Sequence, residues 1–401
     1  MQRPIIGDAA GGAGASRQAR NWDLPGARGQ GLVVSADRLP RADDARTPDQ
    51  GASATRDAPG ATSGAHASPA LRVLRRGDVK VVGLILPRPP TALGGEPFVM
   101  QLISGLEGEL SRHGHALLLQ TASCEEEEIG FYLCWRHERL VGGVVVCDLR
   151  LHDRRISTLE ELKLPAVALG PPIATGRLPS VWCDDAAAMV QTVRYLAALG
   201  HRRIAYLVGS RRLAHVSIRA DAFIDACAGV GIARAATVFT DMSGDAVAQS
   251  TRPLLRAAAS LGAMPTALIY DNNIMAIAGL ALVQQMGLRV PADLSILAWD
   301  DAPICALMHP PLTAMTRDVA ERGSWAARTL LTAMGIGERT GNRDGGSVPP
   351  GAGAAAHGDG GGPVISQPAF LTVRGSTSAP PHSVEATVAT QNRPPGRETS
   401  V

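Results

Sequence analysis

The 401-residue chain is short of aromatic residues, which make up only 3% of it, and nearly without lysine. Lys80 and Lys163 are the only two, so 37 of the 39 basic residues are arginine. With 44 glycines and 28 prolines, this is the mark of a GC-rich gene more than of protein physics. No apolar run reaches the roughly 18 residues that a membrane helix needs, so no membrane partner is expected. The N-terminal stretch 1–14 lacks a charged-then-apolar order, which predicts no secretory leader and a cytoplasmic location. A net charge of +2 excludes a strongly basic chain and gives by itself no sign of nucleic acid. The six cysteines (Cys124, Cys134, Cys147, Cys183, Cys227, Cys305) are scattered without a C-x-x-C spacing. They read as free thiols, not as disulfides or a zinc site.

The motifs of common catalytic and cofactor sites are missing as well. There is no G-x-x-x-x-G-K-[ST] loop, no G-x-G-x-x-G opening a helix after a strand, no G-x-S-x-G and no H-E-x-x-H. His113 and His115 read as a polar turn facing water. Glu125–Glu128 reads as a solvated helix start placed at the positive end of the helix dipole. No cofactor, metal or enzymatic activity is expected.

What is there falls into three textures. Residues 1–63 contain no Lys, Glu or Phe and no helical periodicity, which predicts disorder. From Val79, β-branched runs alternate with amphipathic stretches through Met334, which predicts parallel sheets covered by helices on both faces. About ten such units exceed one doubly wound sheet, so two similar lobes are expected. Residues 335–368, rich in Gly and Pro, read as a flexible loop, followed by a short strand at 369–373 and a disordered tail.

In open α/β sheets, ligands sit outside the carboxyl ends of the strands. Three polar groups stand there: Asp271-Asn-Asn273, Trp299-Asp-Asp301, and Arg219 at the start of a helix. An arginine, an amide and a carboxylate converging on a crevice would grip the hydroxyls of a sugar-like molecule. Each also has a plainer reading: Asn272 or Asn273 as a helix cap, Asp300 as a turn, Arg219 as a surface ion pair.

Taken in order, these segments resemble the LacI/GalR family of bacterial transcription regulators. The resemblance rests on Leu199-Gly-His-Arg-Arg-Ile-Ala205, Ser217-Ile-Arg219 with Ala222-Phe223, and Tyr270-Asp-Asn-Asn-Ile-Met-Ala276. It continues through Leu294-Ser-Ile-Leu-Ala-Trp-Asp-Asp301, Pro310-Pro-Leu-Thr-Ala-Met315 and Leu371-Thr-Val-Arg-Gly-Ser-Thr377, with Glu96-Pro-Phe98 upstream. It implies a periplasmic-binding-protein-like core of two doubly wound parallel-sheet lobes joined by three crossovers. The implied boundaries are 79–180 with 315–337 for the first lobe, 181–314 with 369–378 for the second, a loop at 338–368 and a tail at 379–401. Arg219, Asn272 and Asp300, with Trp299 beside them, would contact a small polyhydroxylated effector. The chain departs from the family pattern at Asn273, at Asp221-Ala222 on the pocket rim, and at Met242, near a position where some sugar regulators have a stacking tryptophan.

Residues 64–78 resemble the family's hinge. Leu74 stands where the family wedges a leucine into the minor groove, and Arg72, Arg75 and Arg76 would meet phosphates. Upstream no helix-turn-helix pattern is present, and 1–63 has the texture of a GC-rich gene read out of frame. The implied function is a ligand-responsive, homodimeric transcriptional regulator whose own DNA-reading domain is lost or corrupted, leaving operator DNA a doubtful partner for the chain as written. The alternative is a stand-alone cytoplasmic sugar-binding protein. The helix Phe98–Arg112, with Leu102, Gly105, Leu106 and Leu110 on one side, is expected to form the dimer contact.

Overall fold

The computed structural model describes residues 79–87, 97–232, 234–240, 243–336 and 364–381. The expectations for 1–63, for the hinge residues Arg72, Leu74, Arg75 and Arg76, for 338–363 and 382–401, and for Met242 lie outside the described residues.

The first lobe begins β1 (Val81–Leu86), α1 (Pro97–Arg112), β2 (Ala116–Thr121), α2 (Glu125–His137) and β3 (Gly143–Val146). It continues α3 (Arg154–Leu162), β4 (Ala166–Leu169) and β5 (Ser180–Cys183). The second runs α4 (Asp185–Ala198), β6 (Arg203–Val208), α5 (Ala214–Gly229), β7 (Arg234–Phe239) and α6 (Gly244–Ser260). Then come β8 (Ala267–Tyr270), α7 (Asn273–Gln285), β9 (Ser295–Trp299), α8 (Pro303–Leu307) and β10 (Thr313–Thr316). The chain returns to the first lobe as α9 (Val319–Ala333) and β11 (Val364–Gln367), and closes on the second as β12 (Phe370–Thr372). The sheets have the same order, β2-β1-β3-β4-β5-β11 and β7-β6-β8-β9-β10-β12. Every pairing is parallel except β12 against β10.

Strands such as Gly143–Val146 and Ala166–Leu169 are buried along their whole length. That is the demand of a parallel sheet with helices on both faces, and it is why these runs are apolar without alternation. The helices start on short polar side chains: Asp153, Asp184, Ser243, Asn272 and Asp318 each accept a backbone N–H of the first turn.

The boundaries differ from the expected ones. Residue 181 falls inside β5, which pairs with β4, so the first crossover follows Cys183. Residue 315 falls inside β10, which pairs with β9, so the second follows Thr316. The expected loop 338–368 ends in a strand, β11, parallel to β5. The third crossover is the short link between β11 and β12. Four residues of β11 among glycines and prolines carry too little periodicity to read, and only the neighbouring edge of β5 makes them a strand.

The side of α1 expected to meet a second copy is used within the chain. Leu102, Gly105, Leu106 and Leu110 are buried, and the leucines among them join Trp325, Leu330 and Leu331 of α9 in one core. α1 and α9 cross so closely that a Cβ on Gly105 would stand 1.8 Å from the Ala320 carbonyl oxygen. The sequence places 315–337 in the first lobe but does not show which face of α1 the helix there covers, since it reaches that face only through the second crossover.

Two polar expectations are also corrected. His115 is buried, its Nδ1 bonded to the His113 carbonyl at 2.9 Å. Glu128 is fully buried and accepts from Arg155 at 2.5 Å, while Glu125 and Glu126 pair with Arg150 and Arg154. Burial of Arg155, itself drawn in by Asp153, turns the end of the acidic run into interior structure.

His201, in the Gly200-His-Arg-Arg203 turn, is also buried. It bonds Thr266 through Nδ1 and the Ser378 carbonyl through Nε2, each at 2.9 Å. It thereby fastens the segment after β12 to the second lobe. No helix among the described residues is long and apolar enough to cross a membrane.

Candidate functional site

The carboxyl ends of both sheets open on one cleft, which encloses about 1020 Å³ of space continuous with solvent. Arg219, Asn272 and Asp300 line it from the second lobe, as expected from the strand ends. Phe98, Asp148, Trp182 and Arg322 line it from the first. Asp185 and Arg317, at the first and second crossovers, form its back wall.

Arg219 projects from α5 and is held on three sides. Its Nε donates to Asp185 Oδ1 and its Nη1 to Asp271 Oδ1, each at 2.9 Å. Its guanidinium lies 4.7 Å from the centre of the Trp299 ring. Asp271 is fixed in turn by the Tyr206 hydroxyl at 2.5 Å and the Gly209 N–H at 3.2 Å. Arg219 is therefore a buried, oriented cation and not a surface ion pair. Asn272 accepts the Met275 N–H through Oδ1 at 2.7 Å while lining the cleft. Asn272, not Asn273, is the helix cap. Its amide NH₂ group is not used by the cap. Asp300 takes φ +69°, a conformation rare for a residue with a side chain, and pairs with Arg317.

Trp299 does not face the ligand space, contrary to expectation. Its side chain is wholly buried in the strand face under Arg219 and supports the guanidinium from behind. Strand alternation sends Trp299 into the core and leaves Asp300 at the opening. Asp221, expected at the rim, is exposed and pairs with Arg211 at 3.4 Å, outside the cleft lining.

Burial works against the charged form of Asp185, but Arg219 and Arg317 outweigh it and hold its carboxyl below the usual range. His215, beside them in the cleft, is pushed below its ordinary value by burial and by Arg219. Burial, followed by repulsion from Arg317, also lowers Arg322.

Sequence reasoning missed Asp148, Trp182, Asp185, His215, Arg317 and Arg322. Applied to every strand, the rule used for Asp300 would have reached three of them: Asp148 after β3, Asp185 after β5 and Arg317 after β10. Trp182 lies within β5, and Arg322 in the first turn or so of α9. Nothing local in the sequence marks either one.

Residues 193–350 match the family model described as a periplasmic binding protein-like domain. A regulator described as an uncharacterized HTH-type transcriptional regulator, from Streptomyces limosus, is 31% identical over 274 residues. That match spans 64% of this chain and 73% of the relative. The crystal structure of a LacI family transcriptional regulator from Bifidobacterium animalis is 30% identical with a TM-score of 0.63, covering 76% of this chain and 99% of that one. The chain belongs to the LacI family. Its described residues form a LacI-family effector-binding core, with the periplasmic-binding-protein-like architecture of two parallel-sheet lobes. The HTH-type transcriptional regulator reg1 of Streptomyces lividans is 29% identical over 271 residues, spanning 65% of this chain and 76% of the relative. The LacI-family relatives named here are transcriptional regulators, not enzymes.

Proposed function

We propose that this chain is a ligand-responsive transcriptional regulator of the LacI family, in which a small polyhydroxylated effector binds between the lobes without being chemically changed. Arg219, Asn272 and Asp300 would bond its hydroxyls, joined by Asp148, Trp182, Asp185 and Arg317. One observation carries the reading: the polar groups that line the cleft are also the groups that tie the crossovers together. Arg317 joins the second crossover to Asp185 of the first, at 3.3 Å, and Gln367 of the third donates to the Asp318 carbonyl of the second. A ligand that competes for Asp185, Arg317 or Asp300 therefore biases the angle between the lobes, which is the differential contact that linkage requires.

The regulator would act in the cytoplasm as a homodimer, since paired hinges need two-fold symmetry to meet a palindromic operator. With α1 covered by α9, a better candidate contact is α8, where Ile304 is exposed and Leu307 is 82% exposed. Arg72, Leu74, Arg75 and Arg76 would form the DNA-contacting hinge. Residues 1–63, with eight Arg against seven Asp and no helix-turn-helix pattern, would not read an operator.

The test is calorimetric titration with a panel of sugars and sugar derivatives, together with footprinting at about physiological salt. Binding that weakens roughly ten- to a hundredfold in Arg219→Ala and Asp300→Ala supports the site. Equal binding in wild type and both variants overturns it. Specific operator protection by the chain as written would overturn the loss of its DNA-reading domain.

A further inference from the structure

Three arginines (Arg219, Arg317, Arg322) and four aspartates (Asp148, Asp185, Asp271, Asp300) line the cleft, yet not every arginine donor meets an acceptor. Asp185 is shared by Arg219 and Arg317, Asp271 is engaged by Arg219, and Asp300 by Arg317. Arg322 has no carboxylate within ion-pair distance among the described residues. It is only 8% exposed, and the one acceptor in reach is the Val181 carbonyl, at 3.4 Å from Nη2. Its Nε is buried without a partner, as are Arg317 Nε and Trp182 Nε1. All three residues line the same cleft.

A buried guanidinium without a counter-charge is among the costliest groups a protein can hold. Burial and then Arg317 disfavour the charged form of Arg322 by more than the more distant Asp185 and Asp300 favour it. Arginine does not solve the problem by losing its proton. The unmet need is for acceptors at these donors, and at Arg322 for a negative charge in direct contact. A hydroxyl can accept such N–H groups one at a time, but it brings no charge. A carboxylate or phosphate brings lone pairs and charge together, and matches the planar donor fork of arginine.

The geometry points to an effector that is acidic: a polyhydroxylated molecule bearing a carboxylate or phosphate, whose anionic oxygens are received by Arg322 with Arg317 and Trp182. This rests on the reading of the cleft as an effector site. The hydroxyl-bearing end would lie toward Asn272, Asp300 and Asp148. The anionic end would lie against the β5–α9 corner of the first lobe. Arg322 is then a specificity residue. It rejects neutral sugars because they leave it buried and unanswered, and accepts the corresponding acids.

The experiment compares wild type, Arg322→Met and Arg322→Lys in the full chain by thermal melting, at matched ionic strength. Phosphate, sulfate and acetate serve as bare-headgroup probes. D-Gluconate, D-glucuronate and D-glucose 6-phosphate serve as acidic polyols, and D-glucose and D-glucitol as neutral ones. The expected result has two parts. Ligand-free Arg322→Met melts no lower than wild type, because it removes an unanswered buried charge. Anionic probes raise the wild-type melting temperature more than that of Arg322→Met, by an amount equivalent to roughly a ten- to hundredfold loss of affinity, with Arg322→Lys between them. The carboxylate and phosphate arms then tell which headgroup is read. Equal responses of wild type and Arg322→Met to every anion, absent responses included, overturn the inference. So does a fall of several degrees in ligand-free Arg322→Met, which would make Arg322 a structural group. Neutral polyols that bind both proteins equally while the acids do not would overturn the acidic assignment and leave the effector cleft standing.

Discussion

Two buried arginine clusters sit in this chain, and they are built to opposite specifications. In the first lobe, all three guanidinium nitrogens of Arg155 are engaged. Nε donates to Asp153 at 2.9 Å, Nη1 to Glu128 at 2.5 Å, and Nη2 to Asp153 at 2.6 Å and the Asp148 carbonyl at 2.9 Å. In the cleft, Arg219 and Arg317 share one carboxylate, Arg322 has none, and several donors are unanswered. The first arrangement answers every nitrogen of its cation from within the fold, and leaves only Glu128 Oε1 without a hydrogen-bond partner. The second leaves donors open toward the cleft, which the proposed effector would answer. A buried charge network that closes on itself belongs to the fold, whereas one that stays open toward a cavity belongs to binding.

The largest effect should come from breaking the closed network. Arg155→Met leaves Glu128 and Asp153 buried without their cation, and should destabilise the protein by about 3–5 kcal/mol in urea unfolding. A cost below about 1 kcal/mol would erase the distinction between the clusters. Arg219→Ala comes next and should show both signatures. It leaves Asp271 without its cation and Asp185 with Arg317 alone, for a loss of about 1–3 kcal/mol of stability in the same assay, and it weakens effector binding in calorimetry.

Acidification sharpens the comparison through the histidines. Half-buried His215 in the cleft, with the buried His115 and His201 elsewhere, has a pKa lowered by burial. As pH falls below about 6.5, the unfolded chain takes up protons that the folded chain resists, so stability is lost in that direction. His215→Gln should flatten part of this dependence in denaturation between pH 7 and 5. In the closed cluster, burial opposes the Asp153 carboxylate, but Arg155 outweighs it and holds its pKa down. Its contribution is fully present above the unfolded carboxylate range near 4, and fades only as pH falls below that. The smallest effect belongs to the rim. Arg154 and Glu126 are both mostly exposed, and Arg154→Ala should leave the unfolding midpoint unchanged within error.

The local features that local chemistry controls were legible. Apolar β-branched runs marked the central strands, because both faces of a parallel sheet are covered. Asn272 or Asn273 marked a helix start, because the first turn has unpaired N–H groups, and Asn272 is the one that caps it. That Arg219, Asn272 and Asp300 line the cleft was legible because it opens where the parallel strands end. Trp299 was misplaced by a single residue of alternation: the next position faces the cleft and this one faces the core.

Sequence by itself determined the fold class, the alternation of strand and helix, and three polar residues on the second-lobe side of the cleft, since each depends on neighbours within about one turn or strand. Tertiary structure alone decided the rest. It set α9 against α1 and so covered the face expected to meet a second copy. It made β11 a strand by offering it the open edge of β5. It buried Glu128 by bringing Arg155 across from α3. It also placed Arg322 in the cleft without a carboxylate partner. The physical reason is common to all four: the worth of a charge, an edge or an apolar face depends on what stands opposite, and here the opposite group arrives from distant chain.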